Sequence, residues 1–187
     1  QDGIVALQVD DPLNGVVVIR SLSTGVPPAN QIVEILHVIP CDNLGNPQNS
    51  FLKGSTAHFN VTIRNNDNEI RRVLITINVY DSENRPFQWV ATEKSVAAGS
   101  TSSSIRSVPI LDTASVGDAW VYASAFTEWP SQGGTAYCPE KLATFKILGS
   151  GPNGTQTPGS SGNPQGTYNA TFKLSSDAEI GNYTIYA

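Results

Sequence analysis

Hydrophobic and polar residues alternate along this chain with a period of two, in short runs separated by turn residues. The clearest run is His58–Arg64, with Phe59, Val61 and Ile63 on one face and His58, Asn60, Thr62 and Arg64 on the other. Arg72–Tyr80 repeats the pattern with Val73, Ile75, Ile77 and Val79 on the inward parity, and Asn65–Asn68 between the two runs is a turn. A period of two marks a strand with one buried face. Gln31–Ile39, Thr101–Ile110, Trp120–Phe126 and Leu142–Leu148 read as further strands. No segment carries the i, i+3, i+4 apolar spacing of a long amphipathic helix, so the expected class is all-β. About seven strands at this spacing predict an immunoglobulin-like β-sandwich over residues 27–149.

The flanks have a different character. Ile4, Val5, Ala6, Leu7, Gln8 and Val9 form a short apolar run that stops at Asp10-Asp11-Pro12, and Gly15–Ile19 is nearly all β-branched. Such a β-branched run reads as a strand buried on both faces. Pro27-Pro28 marks a boundary, and Gly149–Gly166 has no apolar residue to anchor it and reads as a linker or long loop. Beyond it, Thr167–Leu174 places Tyr168, Ala170, Phe172 and Leu174 on one face, and Gly181–Ala187 is a last strand. The final stretch FKLSSDAEIGNYTIYA echoes VPILDTASVGDAWVYA at Val108–Ala123, sharing Ala114/Ala178, Gly117/Gly181, Tyr122/Tyr186 and Ala123/Ala187. In the first copy one more strand follows; in the second the given sequence ends at Ala187. Repetition predicts a second sandwich unit made by residues 13–26 with 150–187, incomplete and needing a neighbour. At this point Ile4–Val9 has two open uses, in a sheet of its own molecule or in that of another.

Charged residues are sparse at 14%, with a net charge of −5 and no basic cluster. Nucleic acid is therefore not an expected partner. No apolar run approaches the ~18 residues of a membrane span. The chain starts at Gln1 and contains no Met, which predicts a secreted protein whose signal peptide has been cleaved. In that compartment Cys41 and Cys138, which have no metal-ligand spacing, are expected to form a disulfide.

Catalytic chemistry is thinly represented. The histidines, His37 and His58, both sit in strand patterns, and no nucleophile elbow, HExxH, P-loop or dinucleotide fingerprint occurs. Neither enzyme activity nor a cofactor is expected. Asp42, Asn43 and Asn46 offer oxygens to calcium but lack the EF-hand spacing. Trp89, Trp120 and Trp129 are candidates for a sugar platform, against the commoner role of buried sandwich tryptophans. N-x-S/T sequons occur at Asn60, Asn153, Asn169 and Asn182. Asn60, Asn169 and Asn182 lie on the polar parity of their strands and Asn153 in the linker, so N-linked glycans are expected.

Residues 27–149 resemble the immunoglobulin-like, CARDB-like modules of archaeal cell-surface proteins. The resemblance rests on KGSTAHFNVTIRNN at 53–66, VLITINVYDSENRPF at 73–87 and AFTEWPSQGGTAYCPEKLATFKI at 125–147. The whole layout resembles the archaeal thread-filament subunits, glycosylated surface proteins that polymerise by donor-strand complementation. That resemblance implies residues 1–12 as an N-terminal donor strand inserted into the next subunit. The receiving edge is expected at Tyr183, Ile185 and Ala187, with Phe172 beside it. Val5, Leu7 and Val9 are then the side chains expected to fill the neighbour's core, roughly 4–9 kcal/mol of apolar transfer. The implied partner is a second copy of the chain, joined head-to-tail in an extracellular filament that meets other cells or surfaces. The competing expectation is a monomeric adhesin or carbohydrate-binding module.

Overall fold

A computed structural model describes residues 3–12, 15–25, 31–149 and 184–186, the last three through their backbone alone. The described residues are almost entirely β. In chain order the strands are β1 (Ile4–Asp11), β2 (Gly15–Ser23), β3 (Val33–Cys41), β4 (Ser50–Leu52), β5 (Thr56–Asn65) and β6 (Arg71–Tyr80). They continue as β7 (Pro86–Val96), β8 (Thr101–Pro109), β9 (Gly117–Phe126), β10 (Ala136–Leu148) and β11 (Thr184–Tyr186), with one 3₁₀ turn at Pro130–Gln132. No helix among the described residues is long and apolar enough to cross a membrane.

Strands β3 to β10 form a body of two facing sheets, in the orders β3-β5-β8 and β4-β10-β9-β6-β7. One core lies between them. Phe59, Val61 and Ile63 of β5 and Val73, Ile75, Ile77 and Val79 of β6 point into it, each at most 2% exposed. The alternating pattern predicts these inward faces because a one-residue slip would turn every apolar side chain to solvent. Phe145 of β10 centres an aromatic cluster, 5.4 Å from Phe59 and 5.8 Å from Phe51 by ring centroid.

Strands β4 and β7 are absent from the sequence reading. β4 is three residues long and pairs parallel to the end of β10. β7 is an edge strand, half-buried along most of its length, so its alternation is blurred by Gln88, Thr92, Glu93 and Lys94. It is fixed by the turn after β6, where Asn84 adopts a left-handed φ of 60° and Asp81 organises the chain. Burial pushes the Asp81 carboxyl up. It accepts from the Ser115, Glu83 and Arg85 N–H groups and from the Arg85 guanidinium, and together these outweigh burial and hold its pKa below the ordinary range.

A third sheet, in the order β11-β1-β2, lies beside the body. It contains residues 4–9, the run expected to serve either its own molecule or another. β1 pairs antiparallel with β2 of its own chain, from Ile4↔Ser23 to Asp11↔Gly15. Only residues 12–14 separate the two runs, and hairpin closure over so short a link is local and fast.

The expected disulfide is corrected. Both cysteines are free and buried. Cys138 belongs to the core between the sheets, with its thiol against the Ile35 backbone. Cys41 lies opposite His58 on the other face of the three-stranded sheet, against the Asn60 backbone. Six residues of extended β3 separate Ile35 from Cys41, roughly 20 Å at strand rise, whereas a disulfide needs Cα atoms within about 7 Å. Burial pushes the Cys138 thiol up to about 11 and raises that of Cys41.

Candidate functional site: the slot around the first strand

β1 is the middle strand of its sheet, paired on both edges. On one side lies β2; on the other, Gln8, Val9 and Asp10 pair with Tyr186, Ile185 and Thr184 of β11. Its faces are used differently. Leu7 and Val9 are buried with Val18, and Val17 and Leu22 pack against them. Ala6 and Gln8 share the opposite face with Ser21 and Ile19. There Ile19 meets Leu74 and Phe126, and Ala6, Ala91, Trp129 and Ala136 close around them. The alternation within Ile4–Val9 is therefore real, and both sides of it are used.

β2 is held on its far edge by side chains of the body. The Ile19 N–H donates to Asn78 Oδ1 at 3.1 Å, and Asn78 Nδ2 donates back to the Ile19 carbonyl. Thr76 Oγ1 donates to the same carbonyl at 3.2 Å, and the Ser21 N–H donates to Ser124 Oγ at 3.1 Å. The Asn78 amide thus substitutes for a neighbouring strand, giving one donor and one acceptor to an edge that would otherwise be open. Thr76, Asn78 and Ser124 are all 0% exposed, a placement that demands such partners. The positions of Thr76 and Asn78 in the sequence, alternating with Ile75, Ile77 and Val79, read as an ordinary solvent face. The missed signal is that Leu74, Tyr80 and Phe126 share that face.

Arg20 fastens the same joint from the other side. Its guanidinium makes a two-pronged ion pair with Glu140 and lies over the Tyr122 ring at 3.6 Å and the Tyr80 ring at 5.4 Å. Burial works against the Arg20 charge, but Glu140 outweighs it and raises the pKa; burial raises those of Tyr80 and Tyr122.

The remaining wall is the turn after β9. Gly133 takes a left-handed φ of 91°, and a Cβ on Gly134 would lie 2.0 Å from the Glu128 carbonyl oxygen. Only glycine fits there, which accounts for the paired glycines of WPSQGG. The turn directs the Ser131 N–H at Gln8 Oε1, 3.2 Å away. Gln8 Nε2 in turn donates to both Asp10 oxygens, at 2.8 and 3.1 Å. Gln8, 2% exposed in an otherwise apolar run, is thereby satisfied. Of the expected receiving edge, Ile185 lies opposite Val9; Tyr183, Ala187 and Phe172 lie outside the described residues.

Other candidate residues are scattered. Asn60 faces outward but is half-buried between Ile39 and Ile105, and its carboxamide oxygen has no hydrogen-bond partner among the described residues. Asn153, Asn169 and Asn182 lie outside them. Trp89 and Trp129 stand edge to face at 6.1 Å, whereas Trp120 sits opposite Tyr80 and Thr144 in the sheet. Asp42 spends its oxygens on Leu44 N–H, Asn46 N–H and the Asn46 side chain. Among the described residues no three His, Cys, Asp or Glu side chains gather as a metal site.

No family model and no curated protein matches the chain. Solved structures are similar in fold at low identity. The C-terminal domain of Wzt superposes with a TM-score of 0.53 at 10% identity, covering 76% of this chain and 88% of that one. The alkylpurine DNA glycosylase AlkC of Pseudomonas fluorescens gives 0.45 at 13% identity over 63% of this chain and 31% of its own. A β-glucosidase from Listeria innocua gives 0.42 at 12% identity over 74% and 18%. This chain thus spans less than a third of either enzyme.

Proposed function

We propose that this chain is a structural subunit of an extracellular filament, joined head-to-tail to copies of itself by exchange of residues 4–11. The observation that carries the reading is the placement of β1. It is the middle strand of a sheet, paired on both edges, and is tethered to β2 through residues 12–14 alone. When one copy's β1 enters the slot of the next, the same backbone pairs and side-chain contacts are remade between molecules. Cis and trans closure then differ little in contact energy, and concentration decides between them. A head-to-tail exchange that does not close on itself gives a thread.

The body is read as immunoglobulin-like, supported by the sheet orders β3-β5-β8 and β4-β10-β9-β6-β7 and by the parallel β4–β10 pair. The third sheet is read as the second, incomplete unit. Secretion and glycosylation at the four sequons complete the proposal.

Pairing of β1 within its own chain favours a second reading, a self-closed surface module that adheres to cells or carbohydrate. Negative-stain electron microscopy at rising protein concentration separates the two. Thin fibres with a regular repeat, lost when residues 1–11 are deleted, are the expected result; single particles at every concentration overturn the filament.

A further inference from the structure

We infer that the Pro130–Gln132 turn reads the strand that occupies the slot, selecting residues 4–11 of a second copy of this chain in one register set by Gln8. This rests on the filament reading for the identity of the partner, and on the geometry of the slot for the register.

Backbone pairing alone selects poorly. The edges of β2 and β11 offer N–H and C=O groups to any extended chain, and a slip of two residues would keep apolar side chains on the correct face. The Ser131 N–H breaks that degeneracy. It is held by a tight turn, in which Gly134 approaches the Glu128 carbonyl too closely for any side chain and donates its own N–H to the Trp129 carbonyl at 3.0 Å. It asks for one acceptor at one position. Gln8 supplies it at 3.2 Å.

Asp10 makes the requirement a two-residue one. Residues i and i+2 of a strand share a face, so the Asp10 carboxylate orients the Gln8 carboxamide by accepting from its Nε2 with both oxygens. The Oε1 end is then left for Ser131. A strand shifted by two residues toward either end presents Ala6 or the Asp10 carboxylate to the turn. In either case the buried Gln8 carboxamide is carried away from the Ser131 N–H, and its oxygen loses that donor. The penalty for leaving that one buried acceptor unmet corresponds to about ten- to hundredfold in occupancy.

The exchanged piece is β1 alone. β2 stays, because Asn78, Thr76 and Ser124 hold its far edge and Arg20 is clamped to Glu140. The contacts of β1 with the body include Ala6 packed beside Leu74 and Phe126 and the polar contact from Gln8 to Ser131.

The test uses full-length chains carrying Gln8→Leu, Gln8→Glu or the double change Gln8→Glu with Asp10→Asn. The double variant restores the pair with donor and acceptor reversed. The carboxamide then stands at position 10 and donates to the carboxylate at position 8, which also accepts from the Ser131 N–H. Amide hydrogen exchange by NMR is read at Ser131, with Phe59 in the body as the folding control. Mixed fibres of two fluorescently labelled populations report selection between copies. The inference expects Ser131 protection to fall at least about tenfold in both single variants and to return in the double one. Phe59 should be unchanged, and Gln8→Leu should be depleted from fibres grown with wild type. Unchanged Ser131 protection in Gln8→Leu overturns the register claim. Equal entry of Gln8→Leu into mixed fibres overturns selection between copies. Absence of wild-type fibres removes the filament reading and the second copy as partner, while the Ser131 result still decides whether Gln8 sets the register within one chain.

Discussion

Two strands of this molecule, β9 and β11, carry related sequence, Trp120-Val121-Tyr122-Ala123 and Thr184-Ile185-Tyr186-Ala187, and they are closed in different ways. β9 is flanked by β6 and by β10, which follows after one turn and pairs with it along nearly its whole length. β11 is paired over three residues with β1, from the other end of the given sequence. The stretch between Val9 and Ile185 is well over ten times longer than the turn between Phe126 and Ala136. For that pair taken alone, loop-closure scaling adds roughly 2 kcal/mol. Local closure makes β9 part of one cooperative body. Distant closure gives β11 a partner that any other copy can also supply, and a slot built to hold a strand is also a slot that another strand can enter.

Paired core truncations should separate the two closures most sharply. Phe145→Ala removes a ring that packs on Phe51 and Phe59, and should cost about 3–5 kcal/mol in a single cooperative unfolding of the body. Val9→Ala, at an equally buried position of β1, should cost about 2 kcal/mol and release β1 and β11 while protection in β5 persists. If Val9→Ala lowers protection in β5 and β1 equally, measured by hydrogen exchange, the two closures are one unit and the contrast fails.

An effect no larger than that of Val9→Ala is expected at the joint. Asn78→Ala strands the Ile19 N–H and removes one of two donors to its carbonyl, about 2 kcal/mol. The loss should appear as faster exchange at Ile19 and Ser21, with Phe59 unaffected.

Smaller still, and confined to the body, is the acid response of Asp81. Its folded pKa lies below the ordinary 3.8, so as pH falls the unfolded chain takes up the proton first. The stabilisation is therefore complete near neutrality and is lost as pH drops from about 4 downward. Asp81→Asn should flatten that limb of the stability curve in urea titrations at several pH values, at a cost of about 1–2 kcal/mol at pH 7. An unchanged limb would remove Asp81 from the account.

The inward faces of β5 and β6 were legible because one-sided burial writes itself as alternation. Val61 and Ile77 could face only one way. The outer face of β6 was not legible, since Thr76 and Asn78 look the same whether they meet water or the edge of β2; their burial depends on a hairpin that packs from far away in sequence. β7 escaped because an edge strand tolerates Glu93 and Lys94. The glycines of WPSQGG stood out as unusual, but nothing in their spacing tells that the turn they form aims an N–H at Gln8. Cys41 and Cys138 misled for a related reason: compartment argues for a bridge, and only the sheet shows that they lie on opposite faces of it.

The central claim is that β1 leaves its own slot for that of another copy. Val9 and Ile185 face each other across the β1–β11 pair, so chains bearing only Val9→Cys are mixed with chains bearing only Ile185→Cys under mild oxidation. Exchange predicts a disulfide-linked heterodimer on non-reducing gels, absent when either variant is incubated with wild type. If the mixture stays monomeric at concentrations where a Val9→Cys, Ile185→Cys double variant crosslinks within itself, β1 closes only its own chain and the filament account is wrong.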